Sequence, residues 1–168
     1  MKRIGFGQVE PNHLSAQRTG QIYAQLPVAK SISVLENGMF AKYDYAANEV
    51  NFTGEGEWML VLNEVKLYDD AHRYYTKDSG FYAGYAMETK SFVDGIMVPR
   101  LFKTSVGDIF TTNTIGAIGA TVAVEVGTKL TPVNGYLTVA EDGDMLWEVV
   151  KVYTMPDGQE GVKIQRIK

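Results

Sequence analysis

The chain contains no cysteine, which excludes disulfides, thiolate zinc sites and a cysteine nucleophile, and leaves the redox compartment unreadable. Imidazole is nearly as scarce, with His13 and His72 the two histidines among 168 residues. No run reaches the roughly 18 apolar residues of a membrane-crossing helix. The N-terminus has no signal-peptide apolar core, so cytosolic synthesis is the expectation. The most apolar stretch, residues 114–126 (TIGAIGATVAVEV), is broken by Gly116 and Gly119 and reads as a buried strand. A formal net charge of −4 argues against general nucleic-acid binding. The charge is uneven: Lys2, Arg3, Arg18 and Lys30 against Glu10 give residues 1–31 a charge of +3, which leaves −7 for residues 32–168.

What is present is globular material, 45% hydrophobic and 21% charged, with a surplus of glycine. Seventeen glycines and ten tyrosines with seven phenylalanines fit aromatic strands separated by tight turns. Turn signals recur along the chain at Asn37-Gly38, Ala47-Asn48, Gly54-Glu55-Gly56, Val106-Gly107-Asp108, Asn134-Gly135, Glu141 to Asp144 and Pro156-Asp157-Gly158. Asn-Gly is the strongest short hairpin signal, because both residues tolerate positive φ. The expected fold is all-β: a small barrel or sandwich built from antiparallel hairpins, with an extended N-terminal arm. The arm covers residues 1–31 and the β body residues 32–168, with 32–68 and 122–168 as candidate β subdomains and an excursion at 69–95. The expected core draws on Phe40, Trp58, Leu60, Leu62, Val65, Leu137, Trp147, Val149 and Val152.

The sequence carries little catalytic signal. There is no phosphate loop, dinucleotide fingerprint or nucleophile elbow, and GAIGA at residues 116–120 lacks the lysine of a phosphate cradle. Asp69, Asp70 and His72 follow no known metal spacing and read as a solvated turn. Glu55, Glu57, Glu141, Asp142 and Asp144 are plentiful on turns, but nothing selects a pair for glycoside hydrolysis. The tyrosines at 74, 75, 82 and 85 could stack on sugar rings or bases, with packing as the plainer use. No catalytic residue, cofactor or metal ligand is assigned, and no enzyme activity is expected.

The arm is the most usable feature. It is rich in glutamine, lacks sustained periodicity and carries few apolar anchors, so it is expected to be mobile alone and to order against a partner protein. The candidate contact residues are Asn12, His13, Leu14, Gln17, Arg18, Gln21, Ile22, Tyr23 and Leu26.

The segments QVEPNHLSAQRTGQIYAQLP, LENGMFAKYDYAANEVNFTGEGEWMLVLNEVKLYDD and MVPRLFKTSVGDIFTTNTI resemble small virion proteins of tailed bacteriophages, and the C-terminal hairpins are similar in style to barrels of capsid decoration, or cement, proteins. The resemblance implies a non-enzymatic structural protein of the virion, placed on the outer capsid surface and stabilising contacts between major capsid subunits. Its implied partners are the major capsid protein and neighbouring copies, or a homo-oligomer, with no nucleic acid and no membrane. The alternative is a receptor- or carbohydrate-binding virion module that uses Tyr74 to Tyr85.

Overall fold

A computed structural model describes residues 1–3, 7–12, 14, 20–32, 34–63, 86–88, 98–156 and 158–168. No helix occurs among the described residues, and the fold is all-β. Strands are numbered in chain order. One antiparallel sheet runs β1 (Val9–Glu10), β9 (Ile109–Thr112), β13 (Glu160–Arg166), β12 (Trp147–Thr154), β10 (Lys129–Val133) and β11 (Tyr136–Val139). A second runs β2 (Ile22–Tyr23), β8 (Leu101–Phe102), β6 (Met59–Val61), β4 (Phe40–Asp44) and β5 (Glu49–Asn51). A separate ribbon pairs β3 (Val34–Glu36) with β7 (Ala86–Glu88).

The two sheets enclose the first core. Phe40, Leu60 and Phe102 from one face of the five-stranded sheet meet Phe110, Trp147, Val149, Val162 and Ile164 from the six-stranded sheet. At its centre Trp147 lies 4.9 Å from Phe110 and 5.7 Å from Phe40 between ring centroids, both tilted or edge-on as aromatic quadrupoles prefer.

The alternate residues of the same strands, Ala41, Tyr43, Met59, Val61 and Leu101, build a second core with Val28, Ala29, Ile32, Leu35 and Val50. The N-terminal segment closes this core. Val28 bridges β5, with Ala29 N donating to Val50 O at 2.9 Å and Val50 N donating to Pro27 O at 2.7 Å. Tyr23, five residues earlier, ends β2 at the opposite sheet edge. So short a peptide spans at most about 17 Å, and both edges are therefore drawn together into a small, nearly closed barrel around the second core.

The described residues of the 1–31 segment include the short strands β1 and β2 and are not detached from the body. β1 adds to β9, β2 adds to β8, and Leu14 enters the first core. Strands from 32–68 and from 122–168 fall in different sheets yet share the first core. Most of the 69–95 excursion, including Asp69, Asp70, His72 and all four of its tyrosines, lies outside the described residues.

Of the expected core, Phe40, Trp58, Leu60, Leu137, Trp147 and Val149 are buried and Leu62 is partly buried; Val65 lies outside the described residues. Val152 is a correction at 40% exposure. It sits opposite buried Val162, but β12 outruns β10, whose last pairing is Lys129 with Glu148, so its far half has an uncovered flank. A bulge between Val149 and Lys151 also breaks the strict alternation.

The two Asn-Gly turns diverge. Asn134 and Gly135 both have positive φ (49° and 86°) and close β10 onto β11 as the type I′ hairpin expected. At Asn37-Gly38 the glycine has φ +88° while Asn37 is not among the positive-φ residues, and Met39 N donates to Glu36 O at 3.1 Å, the pattern of a type II turn. It closes no hairpin: β3 pairs with β7 and β4 with β6 and β5, so the turn is a corner between sheets. Residues 114–126 are a second correction. They form no strand, only a bridge from Ile115 to Leu137 and another from Thr121 to Lys2, and Ile118 is half exposed. Gly116 and Gly119, at φ +73° and +84°, turn the chain out of any extended run.

Gly135 is wedged as well as turned: a Cβ there would lie 2.7 Å from both Met39 Cε and Phe52 Cε1, whereas one at Gly107 (φ +95°) would meet nothing within 4 Å. Gly107→Ala should therefore cost about 1–2 kcal/mol from backbone strain alone. Gly135→Ala should cost roughly 1–3 kcal/mol more, the penalty of overpacking. Urea denaturation of both variants measures the difference, and equal losses would show that the wedge relaxes freely.

Candidate functional site

The arm residues proposed to touch a partner divide in the structure. Leu14 and Gln21 are buried, at 4% and 5% exposure, in the protein's own body. Gln21 accepts a backbone hydrogen bond from Lys103 N at 2.9 Å. Tyr23 and Leu26 pack against the second core, and the Tyr23 ring meets Tyr43 edge-on at 5.4 Å. Asn12 and Ile22 remain exposed, Asn12 Oδ1 accepting from Thr111 Oγ1 at 2.8 Å. His13, Gln17 and Arg18 lie outside the described residues. The nine candidates thus form no single outward face among those described, because β1 and β2 use this segment to complete two sheets.

The first three residues make a different structure. Arg3 is 1% exposed, and its guanidinium forms an ion pair with Glu36, also 1% exposed. The same carboxylate oxygen accepts from Gly7 N at 2.8 Å, and Arg3 Nη1 donates to Gly116 O at 2.9 Å. Tyr136 lies under the guanidinium with 6.0 Å from Cζ to its ring centre, and burial, then the Glu36 charge, push its phenol above the ordinary value against the opposing effect of Arg3. Buried charges persist only when paired and hydrogen-bonded, and here both conditions hold.

That anchor sets a short ladder. Arg3 N donates to Ala120 O at 3.2 Å, Gly119 N to Arg3 O at 3.1 Å and Val122 N to Met1 O at 3.0 Å. The ladder fixes the loop that follows, and between this loop and the end of β11 opens a cleft of about 680 Å³. Met1, Val124, Val126 and Val139 give it an apolar lining, with Glu125 and Glu141 at its rim. Val139 is paired opposite buried Leu130, so it points to the inner side of the sheet, yet at the rim it is 46% exposed; Val126 is 66% exposed. Exposed valines that converge on one cleft beside an edge strand have the composition of a protein contact surface.

Composition gave no means of finding this cleft, because its valines read as an ordinary strand. The one usable signal was the pair of glycines at 116 and 119, which break that strand. Among the described residues no group of three acidic or histidine side chains could hold a metal ion, and no helix is long and apolar enough to cross a membrane. Of the acids singled out in the sequence, Glu57 pairs with Lys103 and Arg166, Glu141 with Lys129, and Asp142 with Lys168.

Arg3→Ala should destabilise the protein by about 3–5 kcal/mol, since it strands a buried carboxylate. Arg3→Met combined with Glu36→Leu should recover a large part of that loss. A double-mutant cycle on urea midpoints reads this directly, and a single variant as stable as the parent would refute the anchoring role.

Comparison of the chain with protein-family models, curated proteins and solved structures finds no match to any of them.

Proposed function

We propose that the chain is a non-enzymatic structural protein of a tailed-phage virion that binds the outer capsid surface and stabilises contacts between major capsid subunits. The resemblance of residues 8–115 to small phage virion proteins supplies the class of partner. The observation that carries the reading is the valine-lined cleft at the β11 rim, with Val126 and Val139 exposed and Glu125 and Glu141 beside them.

A contact of this kind gains from removing apolar area from water, at about 25 cal/mol per Å². The acidic rim adds preference for a basic segment of the capsid subunit and makes attachment weaken with salt. The exposed flank of β12, with Val150 and Val152, extends the apolar surface of the same sheet. A fold that completes its own sheets with its N-terminal segment presents this surface without further folding, so docking has little ordering cost.

Purified protein should co-sediment with capsids assembled from the major capsid protein of the same phage, and should raise the temperature at which those capsids disrupt. Val126→Asp with Val139→Asp should abolish co-sedimentation while leaving the free energy of unfolding within about 1 kcal/mol of the parent, as exposed substitutions do. Capsids that neither bind the parent protein nor gain stability from it would reject the reading.

A further inference from the structure

The β4–β5 hairpin carries a feature that capsid attachment does not use. Along β4, alternation places Tyr43 inside the barrel at 3% exposure and Tyr45, two residues on, beyond its end at 72%. Tyr45 is the most exposed large hydrophobic side chain among the described residues. Its ring is not loose, because it meets Tyr43 nearly perpendicular at 5.6 Å, and Tyr43 meets Tyr23 in the same manner. The Tyr43 hydroxyl in turn accepts from Gln25 N at 3.0 Å. A line of three tyrosines therefore runs from β2 through the barrel to its mouth, where the last ring is held with one side open.

Beside that ring is a cleft of about 440 Å³, within the roughly 300–1,000 Å³ of small-molecule sites, and barrel mouths are a recurrent place for them. Asp44, Thr53, Glu55 and the backbone of Gly54 and Gly56 complete its wall. Both glycines sit there because the loop presses on β4: a Cβ at either would lie under 3 Å from Tyr43 O. Asp44 is fixed by Ala47 N on one oxygen, at 2.9 Å, and Asn51 Nδ2 on the other, at 3.1 Å. Those bonds, that from Ala47 foremost, hold its carboxyl below the ordinary value, so it is ionised at neutral pH and each oxygen keeps accepting capacity.

We propose that this cleft is a binding site for a neutral saccharide, whose apolar ring face stacks on Tyr45 and whose hydroxyls donate to Asp44 and Glu55. The charged groups of the lining are carboxylates, which disfavours anionic ligands such as phosphates and sialylated sugars. A quaternary or protonated amine is best held by several aromatic faces, and here Tyr43 is buried and one ring is left as a flat platform. A sugar ring matches one flat apolar face beside acceptors. The inference does not rest on capsid binding, since it concerns the β5 side of the barrel and none of the residues lining the valine cleft.

Isothermal titration of the full chain with maltotriose, cellotriose, chitotriose and lactose, alongside sialyllactose and a pentalysine peptide, tests it. At least one neutral oligosaccharide should bind, with Kd on the order of millimolar, and sialyllactose should bind more weakly. Tyr45→Ala should weaken that binding about tenfold or more, and Tyr45→Phe should retain it, because stacking needs the ring and not the hydroxyl. Urea midpoints of both variants should match the parent, Tyr45 being exposed. Absence of neutral-sugar binding, binding unchanged in Tyr45→Ala, or binding of pentalysine alone would each overturn the proposal.

Discussion

The Arg3–Glu36 ion pair is the constraint on which the arrangement of the two sheets turns. Glu36 ends β3 and directly precedes the Asn37-Gly38 corner, while Arg3 belongs to the ladder formed with residues 119–122. Joining them brings together three segments far apart in sequence: residues 1–3 with Gly7, the corner, and the loop after β9. Desolvation of two charges offsets much of their mutual attraction, so the pair adds little net stability relative to an apolar replacement. Its effect is to make other placements of the N-terminal residues costly, because each would leave a charge buried alone. The corner is held from the other side too, as Asn37 Nδ2 donates to Asn63 O at 3.2 Å and Asn63 N donates to Asn37 Oδ1 at 2.7 Å, a side chain standing in for a missing strand.

The second constraint is that β4, β6 and β8 are buried on both faces. Met59, Leu60 and Val61 are all buried, as are Leu101 and Phe102, because one side faces the sandwich core and the other the barrel interior. Such strands lose the polar alternation that antiparallel sheets show when one side is wet. The barrel is narrow enough to be filled by side chains, and the covering of its open edge falls to residues 27–29. This explains why a segment with little periodicity of its own is nevertheless integral: it supplies backbone partners and a few aliphatic groups to a core assembled by others.

Much of the β character was legible because turn chemistry is local. Asn134-Gly135 closes β10 onto β11, the Pro156 to Gly158 turn lies between the long paired strands β12 and β13, and Asn48 has the positive φ (57°) that its turn requires. The same chemistry at Asn37-Gly38 produced a turn but not a hairpin, since a dipeptide sets the direction of the chain and not the identity of the next neighbour. Thr112 at the end of β9 and Thr114 just beyond it press on Gly38, where a Cβ would lie 2.5 Å from Thr112 Oγ1, so a tertiary contact also selects glycine there. Exposure was the least legible property. Val126, Val139 and Val152 carry the side chain of a core residue, yet Val126 lies in a turn, Val139 ends β11 and Val152 lies past the end of β10, and all three face water. The candidate contact residues of the arm are divided between buried and exposed positions for a related reason: composition reports that a segment cannot fold alone, but not how much of it packs against the remainder of its own chain.

One junction links the valine-lined cleft and the cleft at the barrel mouth. Phe40 N donates to Gly135 O at 2.8 Å, tying the tip of the β10–β11 hairpin to the start of β4. From that bond β11 runs to Val139 and the valine-lined cleft, while β4 runs to Asp44 and on to Tyr45 at the barrel mouth. Both strands are rigid from the junction outward, one held by four paired positions with β10 and the other by its ladders to β5 and β6. The strands that lead to the cleft and to the aromatic platform thus start from one bond between buried Gly135 and buried Phe40. Val126 and Tyr45 are exposed and lie outside the strands that the bond joins, and at sites so distant from each other, without shared partners, the effects of substitutions add.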